Sequence, residues 1–350
     1  MAIAARQRGF RVVVADGCQP PIDKTCGEGL MPDGLAAFER LGLQLSRSEC
    51  FPFRGVRFLS RSLSTDARFP DRVGLAVRRT VLHRVMVERA TQVGVELLWR
   101  STVSGISADG VQVGKDLFQS RWIVGADGSN SRVRRWARLE GSHRTRLRYA
   151  FRRHFRVTPW TDHIEVHWGE RCQGYAIGIG ENEVCVAIAS NDSKLRFTEA
   201  LRELRYLSER LEGSQPSTAE RGATTCNRRL KRVWQRNVVL IGDAAGTVDA
   251  ITGEGLGLAF SQAPALAECM ESGDLDRYQR IHDQLMLRPR LMARLMLQLD
   301  RRVSLQHKVL QVFQRRPEIF RRLLALHVGA LRPSHLVWDG LALGWELLTV

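Results

Sequence analysis

The chain has 350 residues, 44% of them hydrophobic, and its 53 lysines and arginines against 37 aspartates and glutamates leave a net charge of +16. That apolar content fits two domains or one large domain with insertions, and it excludes a disordered chain. No apolar run reaches the roughly 18 residues that cross a bilayer, and the opening "MAIAARQRGF" meets arginine too early for a secretory leader, so a soluble cytoplasmic protein is expected.

In chain order, "FRVVVAD" (10–16) reads as a buried strand ending on Asp16, "PDGLAAFERLG" (32–42) as a helix stopped by glycine, and "TVLHRVMVERATQVG" (80–94) as an amphipathic helix. "VELLW", "VSGISADGVQV" and "RWIVGADG" follow as strands, giving an alternating α/β texture. From about residue 148, "RYAFRRHFRV", "HIEVHWGE", "GYAIGIG" and "EVCVAIAS" alternate between turns as an antiparallel sheet would. A helix over 195–212 follows, "NVVLIGD" returns to the buried-strand style, and beyond 274 nearly everything is helical, with Pro289, Pro317 and Pro333 as breakers. The fold class is therefore α/β. A Rossmann-like domain (1–49, 75–145 and 228–285) carries an inserted antiparallel sheet (50–74 and 146–227) and a helical C-terminus (286–350).

The stretch "VVLIGDAAGTVDAITGEGLGLAF" (238–260) leaves a buried strand, spends a dozen residues on little bulk, and starts a helix on glycines. An acid at a strand end beside a helix N-terminus is what such a sheet offers a nucleotide-like ligand. Asp243 would bind hydroxyls, Gly242, Ala244, Ala245 and Gly246 would let the ligand touch the main chain, and Gly253, Gly255 and Gly257 would free N–H groups toward a ring. In "GADGSNSRVRR" (125–135), Asp127 and Gly128 end another strand, Ser131 is placed to cap the next helix, and Arg134 lies a turn further on.

These two stretches, in this order, resemble the Asp-Gly and Gly-Asp motifs of the FAD-dependent aromatic hydroxylase and geranylgeranyl reductase superfamily. The resemblance spans roughly residues 1 to 285 and implies FAD as cofactor and NAD(P)H as electron donor. It places Asp243 on the ribityl chain, with Asp127 and Gly128 converging on the same sugar-alcohol middle. Gly253, Gly255 and Leu256 fall at the pyrimidine edge of the flavin, where a helix dipole stabilises negative charge. Arg79, in "RRTVLHRVM", matches an arginine that reaches the cofactor. "PPIDKTCGEGLMPDGL" (20–35) resembles the loop passing over the flavin; there Cys26 sits near the isoalloxazine ring or is a buried structural thiol, and Gly27 and Gly29 mark close packing against a ligand. Three departures stand out. Ala250-Ile251-Thr252 replaces a common proline, the aromatic-rich motif of the reductases is not reproduced around Tyr175, and the Gly-x-Gly-x-x-Gly loop that should precede Asp16, the acid expected on the adenosine ribose, counts back past Met1. The expectation is a phosphate loop upstream of Met1, with these 350 residues alone binding FAD weakly and exposing a sheet edge.

Other features carry less. His163, Glu165 and His167 share one face of a strand, read as the wet side of a sheet rather than a metal trio, so no metal is expected. The seven cysteines are scattered, without a C-x-x-C pair, as reduced thiols. Basic residues occur in doublets and never in a run of five, which argues against nucleic acid. The helices at 285–302 and 315–333 mix leucine, methionine and arginine, suiting core packing or peripheral membrane contact. The functional expectation is an FAD-dependent oxidoreductase, monooxygenase-like, acting on an apolar small-molecule substrate. The alternatives are a geranylgeranyl-reductase-like enzyme on isoprenoid or quinone double bonds and a non-catalytic truncated remnant.

Overall fold

A computed structural model describes residues 1–60, 63–141, 143–144 and 147–331. Pro333 and the rest of the expected C-terminal segment from 332 onward lie outside the described residues. The helices are α1 (Ala2–Gln7), α2 (Pro32–Arg40), α3 (Arg79–Gln92), α4 (Arg132–Trp136), α5 (Phe197–Glu203), α6 (Arg205–Arg210), α7 (Gly255–Ser272), α8 (Leu275–Asp300), α9 (Val303–Arg315) and α10 (Pro317–His327).

The α/β part rests on two short parallel pairs, Val13–Ala15 with Glu96–Leu98 and Ile123–Gly125 with Val238–Leu240. Their apolar side chains meet those of the flanking helices in one core that includes Ile3, Phe38, Leu82, Val239, Leu240, Phe260 and Leu266. Each such large side chain contributes about 1.5–3 kcal/mol by leaving water. Among the described residues no strand joins the two pairs: Val13–Ala15 bonds only to Glu96–Leu98, and Val13 is 45% exposed.

The larger sheet runs, in spatial order, 215–216, 148–156, 183–190, 172–180, 163–168, 55–60, 63–68. Its neighbours are antiparallel except 55–60 with 163–168, a parallel pair that joins the segments before and after the α/β stretch. One face, with Ile164, Val166 and Trp168, packs on Val309, Phe313, Phe320 and Leu324 of α9 and α10. The opposite face was expected to be wet and is not: His163, Glu165 and His167 are each 3% exposed. Helices α5 and α6 cover this side, with Leu204 and Leu207 pressed against Gly174 next to His167, while Trp160 and Arg57 close over Glu165. Periodicity shows which residues share a face; it cannot show that a helix pair will be laid across it.

Two helix readings also change. The helix expected over 195–212 breaks at Leu204, which leaves helical geometry (φ −94°, ψ 69°) and is buried in the core beside Phe197 and Leu207. Pro289 does not end its helix: α8 runs on through it to Asp300, with Pro289 buried. A proline costs one backbone hydrogen bond, and the apolar packing on both sides of it outweighs that loss. Pro317 does act as expected, opening α10.

Gly257 proves to be a packing residue on its Cβ side. A Cβ built on it would lie 3.0 Å from the Cα of Gly34, and the reverse holds, so α2 and α7 cross backbone to backbone there. Gly257→Val should therefore push the helices apart and cost about 1–3 kcal/mol, read as a lower urea midpoint with unchanged m-value. An unaltered midpoint would contradict the close crossing.

Candidate flavin site

Gly125 and Leu240 are paired partners on adjacent parallel strands, so the Asp127 and Asp243 motifs leave the same carboxyl edge. Arg134 ties them together. Its fully buried guanidinium donates from Nη1 to the Ala244 carbonyl at 3.1 Å and from Nη2 to the Ser129 carbonyl at 2.8 Å. Ser131 caps α4 as expected, its Oγ accepting from the Arg134 N–H at 2.9 Å.

The two aspartates have different surroundings. Asp127 is exposed, and its carboxylate turns back onto α4, accepting from the backbone N–H groups of Arg132 (2.7 Å) and Val133 (3.1 Å) and from the Ser131 hydroxyl. Orphan N–H groups at a helix start attract a nearby acid in this way. Asp243, by contrast, has no hydrogen-bond partner for its carboxylate among the described residues. It is open to water yet deep among protein atoms, the situation of a group inside a cleft, and desolvation there pushes its carboxyl above the ordinary range, opposed by the charge of Lys24.

At several glycines of these motifs the main chain is bare. A Cβ on Gly255 or Gly128 would meet nothing within 4 Å, and one on Gly253 only the Met31 methyl at 3.5 Å. Gly253 needs to be glycine for its backbone as well, at φ +67°. Gln262 of α7 holds Gly242 by accepting its N–H at 2.8 Å. Leu256, at the start of α7, packs against the α/β core. Arg79 Nη1 is buried and unpartnered, a donor aimed at nothing the described protein supplies. Asp16 ends its strand as expected, one oxygen accepting from the Cys18 N–H at 2.8 Å.

The loop carrying Cys26 looks toward the large sheet. A Cβ on Gly27 would lie 3.1 Å from the Tyr175 ring, and one on Gly29 2.7 Å from its hydroxyl. On their Cβ side both glycines accommodate Tyr175. Burial pushes the Cys26 thiol and the Tyr175 phenol up from their ordinary ranges, so both stay protonated at neutral pH. Between them Glu28 holds a positive φ (63°) and is 1% exposed. Its carboxylate pairs with His154 Nε2 at 2.6 Å and Arg152 Nη1 at 3.3 Å and accepts from the Arg79 N–H at 2.9 Å. Glu28, His154 and Cys185 lie close enough together to hold a metal ion, but the Arg152 guanidinium stands within 3.3 Å of two of them and supplies the positive charge instead.

Sequence reading missed Lys24, Glu28, Arg152, His154 and Glu254. Glu28 and Glu254 lay inside stretches already singled out, but nothing local marks an acid as buried. Glu254 precedes α7 and is 6% exposed; Arg288 of α8 and His327 of α10 approach it at 3.6 and 3.7 Å, and burial pushes its carboxyl up. A cavity of about 830 Å³, bounded by Trp168, Arg171, Glu203, Tyr206 and Val303, lies elsewhere on the sheet, and none of the site residues named from the sequence lines it.

A nucleotide fold with an unpartnered acid at the strand edge, a bare helix start and an orphaned arginine defines a flavoprotein. Residues 6–271 match the FAD binding domain family, and the chain belongs to it. It is 28% identical to a menaquinone reductase of Mycobacterium tuberculosis over 306 residues, 78% of this chain and 74% of that one. It is 26% identical to digeranylgeranylglycerophospholipid reductase 1 of Methanothermobacter thermautotrophicus, over 74% of this chain and 72% of that one. In fold it is similar to a flavin-dependent brominase (TM-score 0.79, 16% identity, 94% and 89% of the two chains). A geranylgeranyl bacteriochlorophyll reductase-like protein of Thermoplasma acidophilum is similar too (TM-score 0.69, 18% identity, 84% and 83%). The protein is an FAD-dependent oxidoreductase, and the bare glycines, Asp243 and Arg79 fit the flavin nucleotide.

Proposed function

We propose that the protein saturates a carbon–carbon double bond in an apolar isoprenoid or isoprenoid-quinone substrate, with NAD(P)H as electron donor. The observation that carries this reading is the pair of protonated side chains, Cys26 and Tyr175, brought together where the 20–35 loop meets the sheet. Saturating a double bond consumes one hydride and one proton, and a protonated, half-buried thiol or phenol is a proton source. The names of the sequence relatives point the same way. Bound FAD would supply the electrons. Asp243 would accept from its hydroxyls, Arg79 would donate to it, and Gly253, Gly255 and Leu256 would receive its edge at the start of α7; Cys26 and Tyr175 would hold the proton.

The test is an anaerobic reaction with NAD(P)H, FAD and a polyprenyl quinone in detergent. The expected product has gained two hydrogens and carries at least one deuterium when made in D2O, and Tyr175→Phe should slow it about tenfold without loss of bound flavin. A product that appears only with oxygen, bearing one added oxygen atom, would establish in its place the monooxygenase function expected from the sequence.

A further inference from the structure

We propose that Leu287, Leu291 and Leu295 of α8 seat the protein on an anionic lipid bilayer, a proposal that rests on the apolar-substrate reading above. The inner face of α8 buries Leu275, Tyr278, His282, Met286, Pro289 and Ala293 against the rest of the molecule. Its outer face sets three leucines among the polar residues that a solvated helix face normally carries. Leu287 is 66% exposed, Leu291 38% and Leu295 46%, spaced four residues apart and so aligned in a single ridge about 12 Å long.

The charges around this ridge favour one kind of partner. Arg280 and Arg294 on the helix, and Arg301 and Arg302 just past its end, are exposed on the same stretch. Against them stands one exposed acid within it, Asp283, since Asp300 is turned inward onto Arg148. A leucine ridge ringed by arginine is the pattern of a helix lying in the plane of a membrane, with apolar residues at the acyl boundary and guanidinium groups among phosphates. The net charge of +16 draws the whole molecule the same way. Among the described residues no helix is long and apolar enough to cross a bilayer, so contact of this kind would be peripheral.

The position suits the proposed chemistry. From the inner side of the same helix Arg288 reaches Asp33 and Glu254, the residue between Gly253 and Gly255. A substrate dissolved in the bilayer would thus have the flavin site one helix thickness away.

Vesicle flotation tests this directly. The wild-type chain should float with vesicles containing phosphatidylglycerol, less so with phosphatidylcholine alone, and should release as salt rises. Leu287→Gln, Leu291→Gln and Leu295→Gln combined should weaken that binding at least about tenfold with an unchanged thermal midpoint, because the three side chains are exposed. No flotation of the wild type, equal flotation of the variant, or a wild-type dimer that the variant dissolves without any lipid binding would each overturn the proposal. Flotation requires neither flavin nor turnover, so its failure would leave the reductase reading standing, and the detergent assay would test that reading alone.

Discussion

Replacing Asp243 with alanine should strip the flavin from the protein while making the flavin-free chain more stable. If the carboxylate accepts two charge-assisted hydrogen bonds from flavin hydroxyls, as proposed, they would contribute about 3 kcal/mol together, so the loss of affinity should be roughly 100-fold. The stability gain follows from the sign of the pKa shift. Burial raises the Asp243 carboxyl from its ordinary 3.8, so the folded state prefers it neutral. Such a group favours folding below its unfolded pKa, and that contribution is lost as pH rises through the folded value. At pH 7 the ionised carboxylate has no hydrogen-bond partner among the described residues, and its partial desolvation should weaken the fold modestly, since the residue still meets solvent. Alanine removes this cost, and the advantage should vanish as the pH falls toward 3.8. Melting curves at pH 7 and pH 4, beside an FAD titration, check both halves; unchanged affinity would mean that Asp243 does not hold the cofactor.

The second large effect concerns Arg148. Its guanidinium is 2% exposed and bridges Asp249 at 2.8 Å and Asp300 at 3.3 Å. Asp249 in turn braces the turn that follows by accepting the Ile251 N–H at 3.1 Å, three residues before Glu254. One side chain therefore joins the large sheet, the segment before the flavin helix, and the end of α8. Arg148→Met would leave two buried carboxylates without a counter-charge, at a cost of about 3–5 kcal/mol. Burial already raises the Asp300 carboxyl with Arg148 present. Without the arginine it rises further, so the deficit should be largest at neutral pH and shrink on acidification as Asp300 takes up a proton. Denaturant titrations at pH 7 and pH 5 measure this. A deficit independent of pH would point to lost packing alone.

Much of this site could be read along the chain because its parts are local. An apolar run ending in Gly-Asp, a glycine where φ must be positive and a serine three residues ahead of an N–H are all decided within one turn of backbone. Asp243, Gly253, Ser131 and the start of α7 were therefore found at their expected places. The rest depends on what lies across from a residue. Gly257 meets Gly34, Gly27 meets the Tyr175 ring, and His167 lies beneath α6.

The sequence by itself determined that two acid-tipped parallel strands and a glycine-led helix would meet at one sheet edge, because strand ends and helix starts are set by residues a few positions apart. Only the tertiary structure decided which acid faces the cleft and which turns onto its own helix. It alone brought Glu28 to His154 across 126 positions and laid a leucine ridge on the outside of α8. Burial depends on the neighbour that covers a face, and no local period carries that neighbour's identity.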